Sequence, residues 1–149
     1  MVSKADLENA LKDAMRARDA TRKSTLRLVL TAIKLGEVDK GAPLDEAEIL
    51  ALLQKELKMR QETISEAERA GRDQIVEETQ AEIEVLREFL PAPLAPDELE
   101  ALARSVIAEV GATSMTDMGT VMKTLTPRLQ GRASGKDASD IVRRLLQPN

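Results

Sequence analysis

Pro91-Ala92-Pro93-Leu94-Ala95-Pro96 decides how this chain is read. Three prolines in six residues cannot continue a helix, because each ring lacks the backbone N–H and collides with the preceding turn. Such a segment is stiff and acts as a spacer. The sequence on either side of it has a helical apolar period and no convincing β alternation. The chain is therefore read as all-α, with a four-helix bundle-like N-terminal domain over residues 1–90. A proline-rich linker over 91–96 and a small three-helix C-terminal domain over 97–149 complete it.

On the N-terminal side, Ser3 and Asp6 suit a helix start, and Leu7, Ala10, Leu11, Ala14 and Met15 line one face. A break near Asp19-Ala20 precedes a second helix with Leu26, Val29, Leu30 and Ile33 inward, stopped by Gly41-Ala42-Pro43. Asp45 and Glu48 form the spacing of a capping box, followed by a stripe of Ile49, Leu52, Leu53, Leu57 and Ile64. Ala70-Gly71 ends that helix, and a fourth runs from about Arg72 to Phe89 with Ile75, Ile83 and Leu86 inward. On the C-terminal side, Asp97–Val110 is amphipathic and closed by Gly111. A sixth helix starts near Ser114–Thr116 and presents Met118, Val121, Met122 and Leu125; it is expected to kink or end at Pro127. A seventh, from Ser134 or Gly135 to Gln147, buries Ala138, Ile141, Val142 and Leu145.

Composition excludes most catalytic devices. The 149 residues contain no Cys, His, Trp or Tyr, so neither a Ser-His-Asp arrangement nor a His- or Cys-ligated metal can be built. Carboxylate-only metal binding and lysine chemistry stay open but have no recognisable signature, so no catalytic residue, metal or cofactor is assigned. With Phe89 the single aromatic residue, base stacking on an aromatic platform is also excluded. An RNA contact would have to use Arg, Lys, backbone amides and shape. No stretch reaches the roughly 20 apolar residues of a membrane span, and charges interrupt any secretory signal at the N-terminus. A cytoplasmic location without membrane contact is the expectation.

Charge is unevenly spread. Residues 111–149 carry six Lys/Arg and three Asp, whereas the remaining 110 carry 16 basic and 23 acidic residues. Arg16, Arg18, Arg22, Arg27 and Lys34 form one basic segment, read either as an anion-binding face or as pairing with the acidic fourth helix (Glu77, Glu78, Glu82, Glu84, Glu88). Gln54, Lys55, Lys58 and Arg60 lie among carboxylates and read first as a solvated helix face. Gly119, inside the Met118–Met122 run, is read as permitting close helix packing, or else a backbone approach to RNA. Gly131 and Gly135 can take positive φ and hold Arg132 and Lys136 at a helix start, where amides and dipole favour phosphate. Lys123 belongs with them; the alternative is a plain loop with solvated cations.

Several pieces stand in a specific order and spacing: Leu26–Leu30 with Ala32-Ile33-Lys34, Leu53–Lys58, Ala70-Gly71-Arg72 and Phe89-Leu90-Pro91. Asp117-Met118-Gly119, Val121-Met122, Gly131-Arg132-Ala133 and Gly135-Lys136 follow. On these motifs the whole chain resembles the stand-alone members of the GatB/YqeY family. Its C-terminal part resembles the tail domain of the B subunit of the glutamine-dependent aspartyl/glutamyl-tRNA amidotransferase. Ser134 departs from the pattern, where an acidic residue is expected.

The resemblance implies a tRNA-associated accessory module that recognises shape and phosphate around the tRNA elbow. Together with the charge and glycine pattern, it selects Arg27, Lys34, Gly119, Lys123, Gly131, Arg132 and Lys136 as the expected nucleic-acid-binding positions. The family-level label is carbon–nitrogen ligase activity with glutamine as amido-N-donor. Nothing here resembles the larger subunit's catalytic part, so no independent catalysis is expected. The alternative is a protein-interaction module that docks onto a translation or RNA-modification partner through the acidic N-terminal bundle.

Overall fold

A computed structural model describes residues 2–148. The protein is all-α, with no strand among the described residues. The backbone divides into two compact units, residues 1–91 and 92–149.

The first unit holds α1 (Lys4–Arg16), α2 (Ala20–Lys40), α3 (Glu46–Arg69) and α4 (Asp73–Arg87). The starts of α1, α2 and α3 are fixed locally by side-chain caps, whereas Arg72 before α4 makes no side-chain cap bond. The Ser3 hydroxyl accepts the Asp6 amide at 3.2 Å, and the Asp6 carboxylate accepts the Ser3 amide at 2.9 Å. Asp45 and Glu48 exchange the same pair of bonds at 2.8 Å each, so two orphan donors at each helix start are satisfied. Asp19 caps α2 by accepting the Arg22 amide at 3.1 Å. Gly41, at φ 75°, ends α2 in the left-handed region that glycine enters without a Cβ penalty. The core joins Leu7, Ala10 and Ala14 of α1 to Leu26, Val29 and Ile33 of α2. Ile49 and Leu53 of α3 and Val85 and Leu86 of α4 complete it.

Two side chains depart from the periodic reading in this unit. Met15, placed inward by its period, is half exposed at 49%. Arg60, read as part of a solvated face, is buried. It occupies the inner stripe of α3 between Leu53 and Ala67, and its guanidinium meets Glu56 at 2.7 Å and Glu82 of α4 at 3.5 Å. Lys55 and Lys58 of the same group stay exposed.

The second unit holds α5 (Pro96–Val110), a 3₁₀ turn (Met115–Asp117), α6 (Met118–Leu129) and α7 (Gly135–Leu146). Pro96 is the first residue of α5, where its missing N–H would have had no partner in any case. The core is Leu99, Ala103 and Val106 of α5, Val121, Leu125 and Leu129 of α6, and Ala138, Val142 and Leu146 of α7. Met118 and Met122 pack against it half-buried. Pro127 lies inside α6, which runs two residues further before Gln130 (φ 49°) and Gly131 (φ 70°) turn the chain.

Candidate nucleic-acid interface

The tail positions gather on the α6–α7 hairpin of the second unit. Gly119 lies in the first turn of α6, and Lys123, four residues on, shares its exposed face. Nothing lies within 4 Å of where a Cβ on Gly119 would stand. Close helix packing therefore does not account for this glycine; its bare backbone faces open space. Gly135 is the first residue of α7 and is equally open. Of the two glycines that can take positive φ, Gly131 does so, whereas Gly135 is helical.

Arg132 is not a free cation. Its Nε donates to the Ala92 carbonyl at 2.7 Å, and a terminal nitrogen stands 3.9 Å from Glu98. Its backbone carbonyl accepts the Leu94 amide at 2.8 Å, and its own amide donates to Leu129 at 2.9 Å. The arginine thus ties the proline-rich stretch to the hairpin turn within one unit. The bond joins residues 40 apart in sequence, so a loop reading of residues 131–136 cannot anticipate it.

Ser134 caps α7, its hydroxyl accepting the Asp137 amide at 3.0 Å. An aspartate at that position would supply the same acceptor, so the serine preserves the geometry without the charge. Lys136 follows in the first turn and is exposed.

Ion pairing separates the six tail cations. Arg128 forks onto Glu109 at 2.6 and 2.7 Å and holds that carboxyl below its ordinary range. Arg143 meets Asp140 at 3.4 Å and Arg144 meets Glu100 at 3.3 Å. Glu100 is also held low, first by its hydrogen bond from Arg104. Among the described residues, Lys123 and Lys136 have no carboxylate within ion-pair distance. Gly119 and the hairpin turn are separated by most of α6, about 15 Å at 1.5 Å per residue.

Arg27 and Lys34 belong to the other unit, on exposed positions of α2. The basic segment meets the acidic stretch through Arg22, which bonds Glu88, the residue that closes α4, and lies 5.7 Å from the centre of the Phe89 ring. Arg16 turns instead to Asp13 at 3.8 Å. Arg27 and Lys34 make no ion pair among the described residues. Lys34 borders an open groove of about 560 Å³ between α1 and α2, lined also by Lys4, Glu8, Leu30, Glu37 and Val38. Across that groove Lys4 bonds Glu37 at 2.6 Å, which raises the lysine pKa and lowers the glutamate's.

The periodic reading overlooked three exposed aliphatic side chains on α2: Leu28, Leu35 and Val38. The available signal was their place off the inward stripe of Leu26, Val29 and Ile33.

The chain is similar to proteins named Altered inheritance of mitochondria protein 41, mitochondrial. It is 35% identical to that of Lachancea thermotolerans over 72% of this chain and 59% of the relative. It is likewise 35% identical to that of Eremothecium gossypii, over 73% and 61%. With that of Clavispora lusitaniae the identity is 29% over 97% of this chain and 85% of the relative. The chain spans about three-fifths of the length of the first two.

These relatives are named as mitochondrial proteins, which contradicts the expected cytoplasmic location. The lack of an apolar secretory signal bears on secretion alone. Mitochondrial targeting relies on amphipathic, Arg-rich segments to which that test is blind. A profile described as Yqey-like protein matches residues 4–146, and the chain belongs to this family.

Proposed function

We propose that this chain is a tRNA-associated accessory module whose C-terminal unit offers Lys123 and Lys136 to the phosphate backbone. The observation that carries this reading is the pairing pattern: four of the six tail cations sit against carboxylates, and these two do not. Lys136 is further marked by its place. A cation in the first turn opposes the helix dipole and does nothing to stabilise α7, whereas Asp137 beside it does. Gly119 adds a stretch of helix start open to close backbone approach. Lysines, amides and shape are the means left to a chain with one aromatic residue. The carbon–nitrogen ligase label belongs on this reading to the larger amidotransferase that the tail resembles, and no catalysis by this chain is proposed.

Equilibrium binding of tRNA to the wild type and to Lys123→Glu/Lys136→Glu, across a salt series, tests the reading. The wild type should bind tRNA more tightly than a duplex RNA of similar length. The double variant should weaken binding at least tenfold and lower the salt slope by about 2, one for each phosphate contact. Equal affinity of the wild type for tRNA and for heparin would sink the proposal.

A further inference from the structure

The outer face of α2 has chemistry that tRNA phosphates do not use. Leu28, Leu35 and Val38 are 54%, 62% and 70% exposed. Scattered single aliphatics are ordinary on a surface, but these three are not scattered. At about 100° per residue, Arg27, Leu28, Thr31, Lys34, Leu35 and Val38 fall within an arc of roughly 120°. Arg27 and Lys34 run along one edge, Leu28 and Leu35 along the other, and Val38 and Thr31 between them. From Arg27 to Val38 the stripe is about 16 Å long, three helical turns. Its cations are unpaired among the described residues. Of the nearby carboxylates, Glu37 is engaged by Lys4, Glu8 of α1 lines the groove beside Lys34 without pairing to it, and Asp39 lies beyond the apolar edge.

We infer that this face of α2 docks an amphipathic helix of a partner protein, one whose aliphatic stripe is flanked by Asp or Glu. Charge complementarity selects the flanks: a row of carboxylates along one side of the incoming helix meets Arg27 and Lys34. The aliphatic positions recur at i and i+7, the spacing by which a helix packs along another. The groove beside Lys34 and Val38 gives one incoming side chain a place to enter.

A second copy of this chain fits poorly. Two α2 faces related by a two-fold axis oppose Arg27 to Lys34. The chain's own acidic helix α4 exposes Glu77, Glu78 and Glu84 but only Ala81 as an apolar partner. A lipid surface fits poorly too, because the stripe is narrow and lacks an aromatic anchor. This face is basic and aliphatic, and so differs from the acidic-bundle docking that the sequence offers as an alternative reading. This inference does not depend on the tRNA reading.

The probe is a synthetic three-turn helical peptide with leucines at i, i+3 and i+7 and glutamates along one flank, titrated into the full chain. Saturable binding is expected. Affinity should fall at least tenfold for Leu35→Glu and for Arg27→Glu/Lys34→Glu, and for a lysine-flanked version of the peptide. The substituted side chains are exposed, and circular dichroism checks that both variants stay folded. Equal binding of the glutamate- and lysine-flanked peptides overturns the inference, as does no binding, or binding unaffected by the substitutions. So do three other results: loss of tRNA affinity on Arg27→Glu/Lys34→Glu, self-association abolished by Leu35→Glu, and binding to phosphatidylglycerol vesicles abolished by either variant.

Discussion

Gly119 tests the interface at the scale of one residue. With open space where its Cβ would stand and helical backbone around it, alanine fits there without strain. Gly119→Ala should raise stability by about 0.5–1 kcal/mol through helix propensity and a less free unfolded chain. If RNA approaches this backbone, the same methyl should weaken tRNA binding. Denaturant unfolding and tRNA titration of the variant check both; a gain in stability with unchanged affinity removes Gly119 from the interface. Arg132 behaves differently, because its guanidinium is committed to the Ala92 carbonyl. Arg132→Ala should lower the stability of the C-terminal unit by about 1 kcal/mol. It should also speed hydrogen exchange at the Leu94 amide, whose bond ends on the Arg132 carbonyl. Lys136→Ala should leave that exchange unchanged. Lost RNA binding in an Arg132 variant therefore reports a loosened turn as readily as a missing contact, and Lys123 and Lys136 are the informative positions.

At the scale of elements, the α3–α4 pair is joined by the buried Arg60 as well as by aliphatic packing. Arg60→Ala strips Glu56 and Glu82 of their shared cation and leaves a gap, and should cost roughly 3 kcal/mol. Arg60→Met keeps the apolar stem and lets the half-buried carboxylates turn toward water, so its cost should be smaller; urea unfolding of the two variants decides. The start of α7 gives a matching case. Ser134→Ala should lose about 1 kcal/mol, while Ser134→Asp should lose none, since either oxygen can accept the Asp137 amide. What was legible in the sequence at this scale follows from range. Caps act over three or four residues, so Ser3 with Asp6, Asp45 with Glu48, and the glycines at 41 and 111 marked their helix ends directly. The packing of Arg60 and Arg132 was not legible, because Glu56 lies one turn from Arg60 but Glu82, its second partner, and Ala92, the partner of Arg132, arrive from far along the chain. The exposure of Leu28, Leu35 and Val38, by contrast, was legible, since all three lie off the inward stripe of Leu26, Val29 and Ile33.

For the whole molecule, the ion pairs predict how stability depends on pH. Glu37 and Glu48 in the first unit, and Glu100 and Glu109 in the second, all lie below their ordinary range, each chiefly through a hydrogen bond from its cation. Asp6 is lowered as well, first by the Ser3 amide. A depressed carboxyl contributes stability that is complete above its unfolded pKa, about 4 for these groups, and is lost as pH falls through the lower folded value. Lys4 and Lys40 are shifted upward by Glu37 and Glu48. Their contribution is complete below the unfolded lysine pKa, near 10.4, and is lost as pH rises through the higher folded one. With no histidine in the chain, no side chain of ordinary pKa titrates between these limits. Unfolding free energy should therefore be flat from about pH 5.5 to pH 9, falling below and above. The pairs are surface pairs, so both shoulders should be shallow and should shrink further in 1 M salt. Urea unfolding across this range provides the check: a maximum or a step near pH 6.5 would mean that the pairing described for these glutamates does not govern the stability of the protein.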